Sequence, residues 1–292
     1  MISKNLIARL AVAAVAIPAI LWTCYQGGEW LLGMVILFAV IGLLEFLHRE
    51  GYSPRNVLFW LSLATVLSAL VGIRAAAGLV SPVIGTETWF PVVIPIMSVF
   101  VFYFLSAMMS AIGTASPEML FQRHSRLFWG VTYIGVLYPF VYLVGDSLPS
   151  AVSNGPSGGD HLLFLFGLLW VGDTAAMGIG KWLGSHKLAP AVSPNKTVEG
   201  FIGGIVGALA IGVLMIFWKF SAVPWYHVLV IAVGCSVFGQ LGDLVESMWK
   251  RSLGIKDSSA IIPGHGGVLD RFDSLLFAAP FMYVYVTLFM CP

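Results

Sequence analysis

The chain has 292 residues, a formal net charge of +1, 10% charged residues and 59% hydrophobic ones, with a mean hydropathy of +0.92. Those values exclude a soluble globular domain. The near-neutral total says nothing by itself about partners.

A membrane-spanning helix needs about 20 mostly apolar residues. Nine stretches qualify, at about 6–24, 30–48, 57–79, 89–112, 127–145, 161–181, 199–218, 225–246 and 272–290. Long apolar runs without alternation are helices, not barrel strands. The expected fold is therefore all-α: a polytopic integral membrane protein of about nine transmembrane helices.

The first stretch, with Lys4 and Arg9 ahead of Leu10 to Leu21, has the outline of a secretory signal. No Ala-x-Ala site follows it, and Leu21-Trp22-Thr23-Cys24 lacks the small residues of a lipoprotein cleavage site, so an uncleaved first span is expected. Cys24, Cys235 and Cys291 have no metal-ligand spacing and make no disulfide framework; they read as small apolar fillers.

With nine spans, one side receives the N-terminus and the loops after spans 2, 4, 6 and 8. That side collects Lys4, Arg9, Arg49, Arg55, Arg123, Arg126, Lys181, Lys187, Lys196, Lys250, Arg251, Lys256 and Arg271, leaving only Arg74 and Lys219 opposite. Positive-inside makes it the cytoplasmic face, with the N-terminus in and the C-terminus out.

Residues 1–150 read as an N-terminal set of spans 1–5 with little chemistry, where Glu45, His48, Arg49 and Glu50 look like a solvated helix end. Residues 151–292 read as the catalytic region of spans 6–9, with cytoplasmic loops at 182–198 and 247–271. Ser150 to Asp160 is a turn-rich outer loop of no visible function. No internal repeat is visible, which argues against an inverted-repeat transporter.

Three polar clusters lie on the cytoplasmic side of the second half. Asp173 sits inside the apolar run of span 6, where a carboxylate costs about 2.5–3.5 kcal/mol on insertion scales and needs a partner or a wet cavity. A buried ion pair or an interhelical hydrogen bond would satisfy it equally. Ala176, Gly180 and Gly184 form a small-residue face that reads as packing.

In the second cluster, Ser193-Pro194 reads as the N-cap and first residue of span 7, with Asn195, Lys196 and Glu199 beyond it. A cation in a first turn is disfavoured by the helix dipole unless an anion is held between it and the free N–H groups. A solvated lysine is the other reading.

The third cluster is the densest: residues 247–273 hold Lys250, Arg251, Lys256, Arg271, Asp257, Asp270, Asp273 and His265. Asp243, Glu246, Ser247 and Lys250 share one helical face, and Asp270 and Asp273 share another. Carboxylates brought together from two helices suit Mg²⁺, which takes one or two of them and fills its other sites with waters and phosphate oxygens. Gly264, Gly266 and Gly267 let backbone N–H groups approach a phosphate. Helix capping by the aspartates and membrane anchoring by Lys250 and Arg251 are plausible singly but leave the density unexplained.

This region resembles the phosphatidate cytidylyltransferase (CDP-diacylglycerol synthase) family. Ser247, Lys250, Arg251, Lys256, Asp257, Ser259, Pro263, His265, Gly266, Gly267, Asp270, Arg271 and Asp273 match the family pattern without a gap. Ser193 to Gly200 and Gly242 to Ser247 match as well. The family commonly has Asp-Thr-Gly-Ala-Tyr where this chain reads Asp173-Thr174-Ala175-Ala176-Met177, which puts any role of that tyrosine in doubt.

The resemblance implies transfer of CMP from CTP to phosphatidate, with Mg²⁺ as cofactor and a further monovalent cation left open. The family is often dimeric, which implies a homodimer here. Size and compactness fit a bacterial inner membrane, with an organellar membrane as the alternative, and the basic residues put the active site on the cytoplasmic face; no nucleic-acid partner is expected. Asp243 and Asp270 are then expected at the metal, with Asp173, Glu246 and Asp273 as supporting candidates. Lys250 and Arg271 would act at the reacting phosphates. Ser193, Asn195, Lys196, Glu199, Ser247, Arg251, Lys256, Asp257, His265, Gly266 and Gly267 would bind substrate. A CTP-dependent polyisoprenoid or phytol kinase and an ion or solute transporter are the rival readings.

Overall fold

A computed structural model of the chain describes residues 4–79, 90–111, 116–148, 155–262 and 266–290. It contains α1 (Lys4–Gln26), α2 (Gly28–Arg49), α3 (Val57–Leu79), α4 (Phe90–Ala111) and α5 (Pro117–Tyr142). A π-helical turn, Leu143–Ser147, precedes α6 (Gly158–Leu183); β1 (Lys187–Ala189) and β2 (Ser193–Thr197) precede α7 (Val198–Phe217), α8 (Trp225–Ser252) and α9 (Leu269–Phe289). Among the described residues, eight helices are long and apolar enough to cross a membrane, and α1 adds a shorter apolar stretch, Ala14–Gln26. Large side chains such as Phe104 (66% exposed) and Phe217 (82%) point outward, an arrangement that suits lipid rather than water as their solvent. The all-α polytopic expectation holds. Cys24 and Cys235 are free and buried, and Cys291 lies outside the described residues.

The chain forms two compact units, one of residues 32–139 and one of residues 1–31 with 140–292. In the first, α3 and α4 pack along each other. In the second, α6 packs on α7, α7 on α8 and α8 on α9. Glycine sets two of these distances. A Cβ on Gly200 of α7 would lie 2.8 Å from the Ala176 carbonyl oxygen of α6, and one on Gly242 of α8 would lie 2.6 Å from the Asp273 carbonyl oxygen of α9. Both are backbone contacts that cannot yield, so these small residues bring polar positions on neighbouring helices close together.

Several boundaries differ from the sequence reading. The 150–160 segment supplies a capping box: Ser157 Oγ accepts from the Asp160 N–H (3.2 Å), and Asp160 Oδ2 accepts from the Ser157 N–H (3.0 Å), so α6 starts at Gly158. Ser193-Pro194 does not open α7. Both residues lie in β2, which pairs antiparallel with β1 through Lys187↔Thr197 and Ala189↔Ser193. Proline's fixed φ is as much at home in an edge strand as in a first turn, and the cap is made instead by Thr197, whose Oγ1 accepts from the Gly200 N–H at 3.1 Å. Lys196 therefore belongs to the strand before the helix. α5 begins ten residues before the expected 127, α8 runs unbroken to Ser252, and α9 starts at Leu269. The third cluster is thus carried mostly on helices.

Candidate active site

The site residues lie in the unit containing residues 140–292. A cavity of about 640 Å³ opens where α6, the β1–β2 hairpin, α7 and α8 meet, and its walls include Asp173, Met177, Asn195, Lys196, Gln240 and Asp243. Lys196 Nζ lies 2.7 Å from Asp243 Oδ2, with both side chains partly exposed. Ser247, one turn along α8, donates from Oγ to Asp243 Oδ1 at 3.2 Å. The charges of Lys196, Asp243 and Arg271 are all felt at Asp173. Met177, where the chain departs from the family pattern, is 57% exposed on this wall.

Beside the cavity is a buried ionic cluster. Lys250 Nζ lies 2.6 Å from Asp270 Oδ1 and 3.3 Å from Glu246 Oε1, joining α8 to α9. The other Asp270 oxygen, Oδ2, accepts from the Ser258 N–H (2.8 Å), the Ser258 hydroxyl (2.9 Å) and the Gly267 N–H (2.8 Å). Asp270 therefore ties Ser258 and Gly267 together rather than capping α9. Gly266 takes φ +81°, and a Cβ there would stand 2.8 Å from Asp270 Oδ2, so only glycine fits. Asp273 is 9% exposed and accepts from the Ser274 N–H at 2.7 Å. It interacts with both Asp243 and Glu246, and Glu246 interacts with Asp270. The five carboxylates singled out in the sequence thus form one electrostatically connected row.

The remaining expected site residues divide by what they touch. Glu199 accepts from Ser185 Oγ (2.8 Å) and contacts His186 Nδ1 (2.6 Å), bracing the turn between α6 and β1. Arg251 donates to the carbonyls of Val192 (3.2 Å) and Ile255 (2.7 Å), tying the hairpin to the end of α8. The Gly267 N–H expected at a phosphate is given to Asp270. Ser193 is half-buried in β2, Lys256 and Asp257 are exposed, and His265 lies outside the described residues. Sequence reasoning missed Ser258, which is fully buried, although it adjoins Lys256-Asp257. It also missed Gln240, whose Nε2 donates to the Phe201 carbonyl at 3.2 Å from the cavity wall.

The donor set suits a hard cation: only carboxylates, with no cysteine or histidine among them. Among the described residues, no three Asp, Glu, His or Cys side chains converge into a complete metal cage. Mg²⁺ does not need one, because phosphate oxygens and water complete its octahedron. Asp243 and Asp173, both on the cavity wall, fit that requirement. Asp270, the expected partner of Asp243, is only 4% exposed against 35% for Asp243, and it already holds the Lys250 ammonium on Oδ1 and three donors on Oδ2, where each Asp243 oxygen has one partner.

The chain matches the Cytidylyltransferase family over residues 7–289. It is 32% identical to a phosphatidate cytidylyltransferase of Staphylococcus haemolyticus over 281 residues, 94% of this chain and 97% of that protein. Two matches of 44% and 50% identity cover about half of each chain. One match is 44% over 155 residues, with a Staphylococcus saprophyticus phosphatidate cytidylyltransferase (53% of this chain, 55% of that protein). Another is 50% over 129 residues, with one from Bacillus subtilis (44% and 48%). The chain belongs to the cytidylyltransferase family.

Proposed function

We infer that the protein transfers CMP from CTP to phosphatidate, giving CDP-diacylglycerol and pyrophosphate in phospholipid synthesis. The observation that carries this reading is a cavity among apolar helices where Lys196, Asp173 and Asp243 meet. Near-full-length similarity to a phosphatidate cytidylyltransferase supports it.

Both substrates are polyanions and repel each other, so the site must supply cations as well as shape. Lys196 is placed to take a triphosphate oxygen, which competes with Asp243 for its ammonium. Lys181, also on the wall, and Arg271 add positive charge. Phosphatidate attacks through its own phosphate oxygen, so no strong base is required, and pyrophosphate leaves readily. The protein's contribution is then alignment and charge neutralisation for an in-line displacement at the α-phosphorus. Asp243 with Asp173 would hold Mg²⁺, which when bound supplies charge neutralisation at the phosphate oxygens. Lys250, buried against Glu246 and Asp270, keeps α8 and α9 in register beneath the site.

The experiment supplies CTP labelled at the α- or the γ-phosphate to purified protein with phosphatidate and Mg²⁺. Label is expected in the lipid only from the α position; entry from the γ position would make the protein a lipid kinase.

The same reading puts the site on the cytoplasmic face of a bacterial inner membrane, supported by the asymmetry of the basic residues. Lys256→Cys and Gly155→Cys, each in a background free of the three native cysteines, report on the two faces. In intact cells a membrane-impermeant thiol reagent is expected to label position 155 and spare 256. The reverse pattern would invert the orientation.

A further inference from the structure

The unit of residues 32–139 holds a second basic cavity, remote in sequence from the cytidylyltransfer residues. Its volume is about 540 Å³, and Arg55, Asn56, Ser110, Arg123 and His124 contribute polar groups to its lining, which among the described residues contains no Asp or Glu. The nearby Glu50 lies 3.9 Å from Arg126.

The walls are built in advance. Asn56 N–H donates to the Ser53 carbonyl at 2.9 Å, and Trp60 Nε1 to the Pro54 carbonyl at 2.8 Å, fixing the turn that carries Arg55. The Arg123 guanidinium rests 4.8 Å over the Tyr52 ring. The first residues of α3 also line the cavity, bringing the positive end of a helix dipole to it.

His124 supplies an independent sign of a ligand. It is only 9% exposed, and neither ring nitrogen has a hydrogen-bond partner among the described residues. Buried polar groups are rarely left so. A phosphate oxygen would satisfy it.

α3 and α4, which give Leu58 and Met109 to this cavity, also wall a separate apolar groove that begins about one turn further along each helix, at Leu61 and Leu105. Leu61, Ala64 and Ser68 of α3 face Val93, Met97 and Val101 of α4 along its walls. Val93 to Leu105 spans about 18 Å of helix at 1.5 Å per residue, close to one leaflet's share, about 15 Å, of the hydrocarbon core. Met97 and Val101 are each 54% exposed.

We propose that this unit binds an anionic glycerophospholipid, its phosphate held by Arg55, Arg123 and His124 and an acyl chain laid between α3 and α4. Basic pockets between transmembrane helices hold headgroups in this way. A neutral or zwitterionic lipid would leave two arginines facing no net negative charge. A free phosphate ester would leave the groove unused.

Hydrogen–deuterium exchange on the full chain in detergent locates the site. Dioleoyl phosphatidylglycerol is expected to protect residues 52–58 and 118–124, and dioleoyl phosphatidylcholine to leave them unchanged. Glycerol 3-phosphate at the same concentration is expected to give no protection. Equal protection by phosphatidylcholine would overturn the headgroup assignment, and equal protection by glycerol 3-phosphate would make this a soluble-phosphate site. Arg55→Gln with Arg123→Gln is expected to raise the phosphatidylglycerol concentration for half-protection about ten-fold or more, since charge-assisted contacts are lost. Should that double variant fail to fold, Ala64→Trp, which fills the groove from an exposed position, is expected to abolish protection by itself. Unchanged protection in Ala64→Trp would remove the lipid from this groove.

Discussion

Asp243→Asn is expected to cut turnover at least about a hundred-fold while the protein stays folded in detergent. The asymmetry follows from its surroundings. Asn keeps an oxygen to accept from the Ser247 hydroxyl, now 3.2 Å from Asp243 Oδ1, and keeps the side chain's volume. It loses the charge that Lys196 meets at 2.7 Å and that a hard cation requires. The side chain is 35% exposed, and an ion pair this open contributes little to stability, of order 1 kcal/mol or less. Lys196→Ala, on the other side of the same contact, tests a different role. Losing one charge-assisted hydrogen bond costs about 1.5–3 kcal/mol, roughly ten- to hundred-fold. If Lys196 grips the triphosphate equally in ground and transition states, KM rises and kcat holds. Steady-state kinetics at limiting and saturating Mg²⁺ on both variants, with circular dichroism as the folding control, separates the two roles. Near-normal activity of Asp243→Asn at limiting Mg²⁺ would take the metal away from this aspartate.

The parts of this site that were legible in the sequence are those set by periodicity. Asp243, Glu246, Ser247 and Lys250 at i, i+3, i+4 and i+7 do share a face, and their contacts run as that face requires: Ser247 to Asp243 and Lys250 to Glu246, each one turn apart. Apolar length located the helices for the same reason, since a bilayer fixes how many residues must be apolar. Helix starts were less legible because they depend on single hydrogen bonds. Ser157 and Thr197 cap α6 and α7, yet nothing in composition distinguishes Thr197 from Ser193 four residues earlier.

Long-range partnering was not legible at all. Asp270 takes three donors from Ser258 and Gly267 across a connection whose path no local rule fixes. Which carboxylates face the cavity and which are buried beside it depends on the close approach of α8 to α9 at Gly242. The sequence marks Gly242 as the start of a stretch shared with the family, but not as the point where α8 meets α9.

Lys250→Met is expected to lower stability by about 3–5 kcal/mol, among the largest effects available to a single substitution here. The lysine side chain is 10% exposed and stands between Glu246, fully buried, and Asp270, 4% exposed. Methionine fills the same space with an unbranched chain, so packing is nearly conserved and the loss is electrostatic. Glu246 and Asp270 lose the ammonium that lies between them, with Asp273 close by. Removing one member of a buried ionic group costs more than removing the group, because the residual charge cannot return to water. The double variant Lys250→Met with Glu246→Gln is therefore expected to recover part of the lost stability, even though it carries a second substitution. That recovery separates an electrostatic cause from simple disruption of α8, which would make the double variant worse than the single one. Thermal unfolding of the detergent-solubilised variants reads both. A midpoint unchanged by Lys250→Met would mean that this ammonium does not hold α8 to α9.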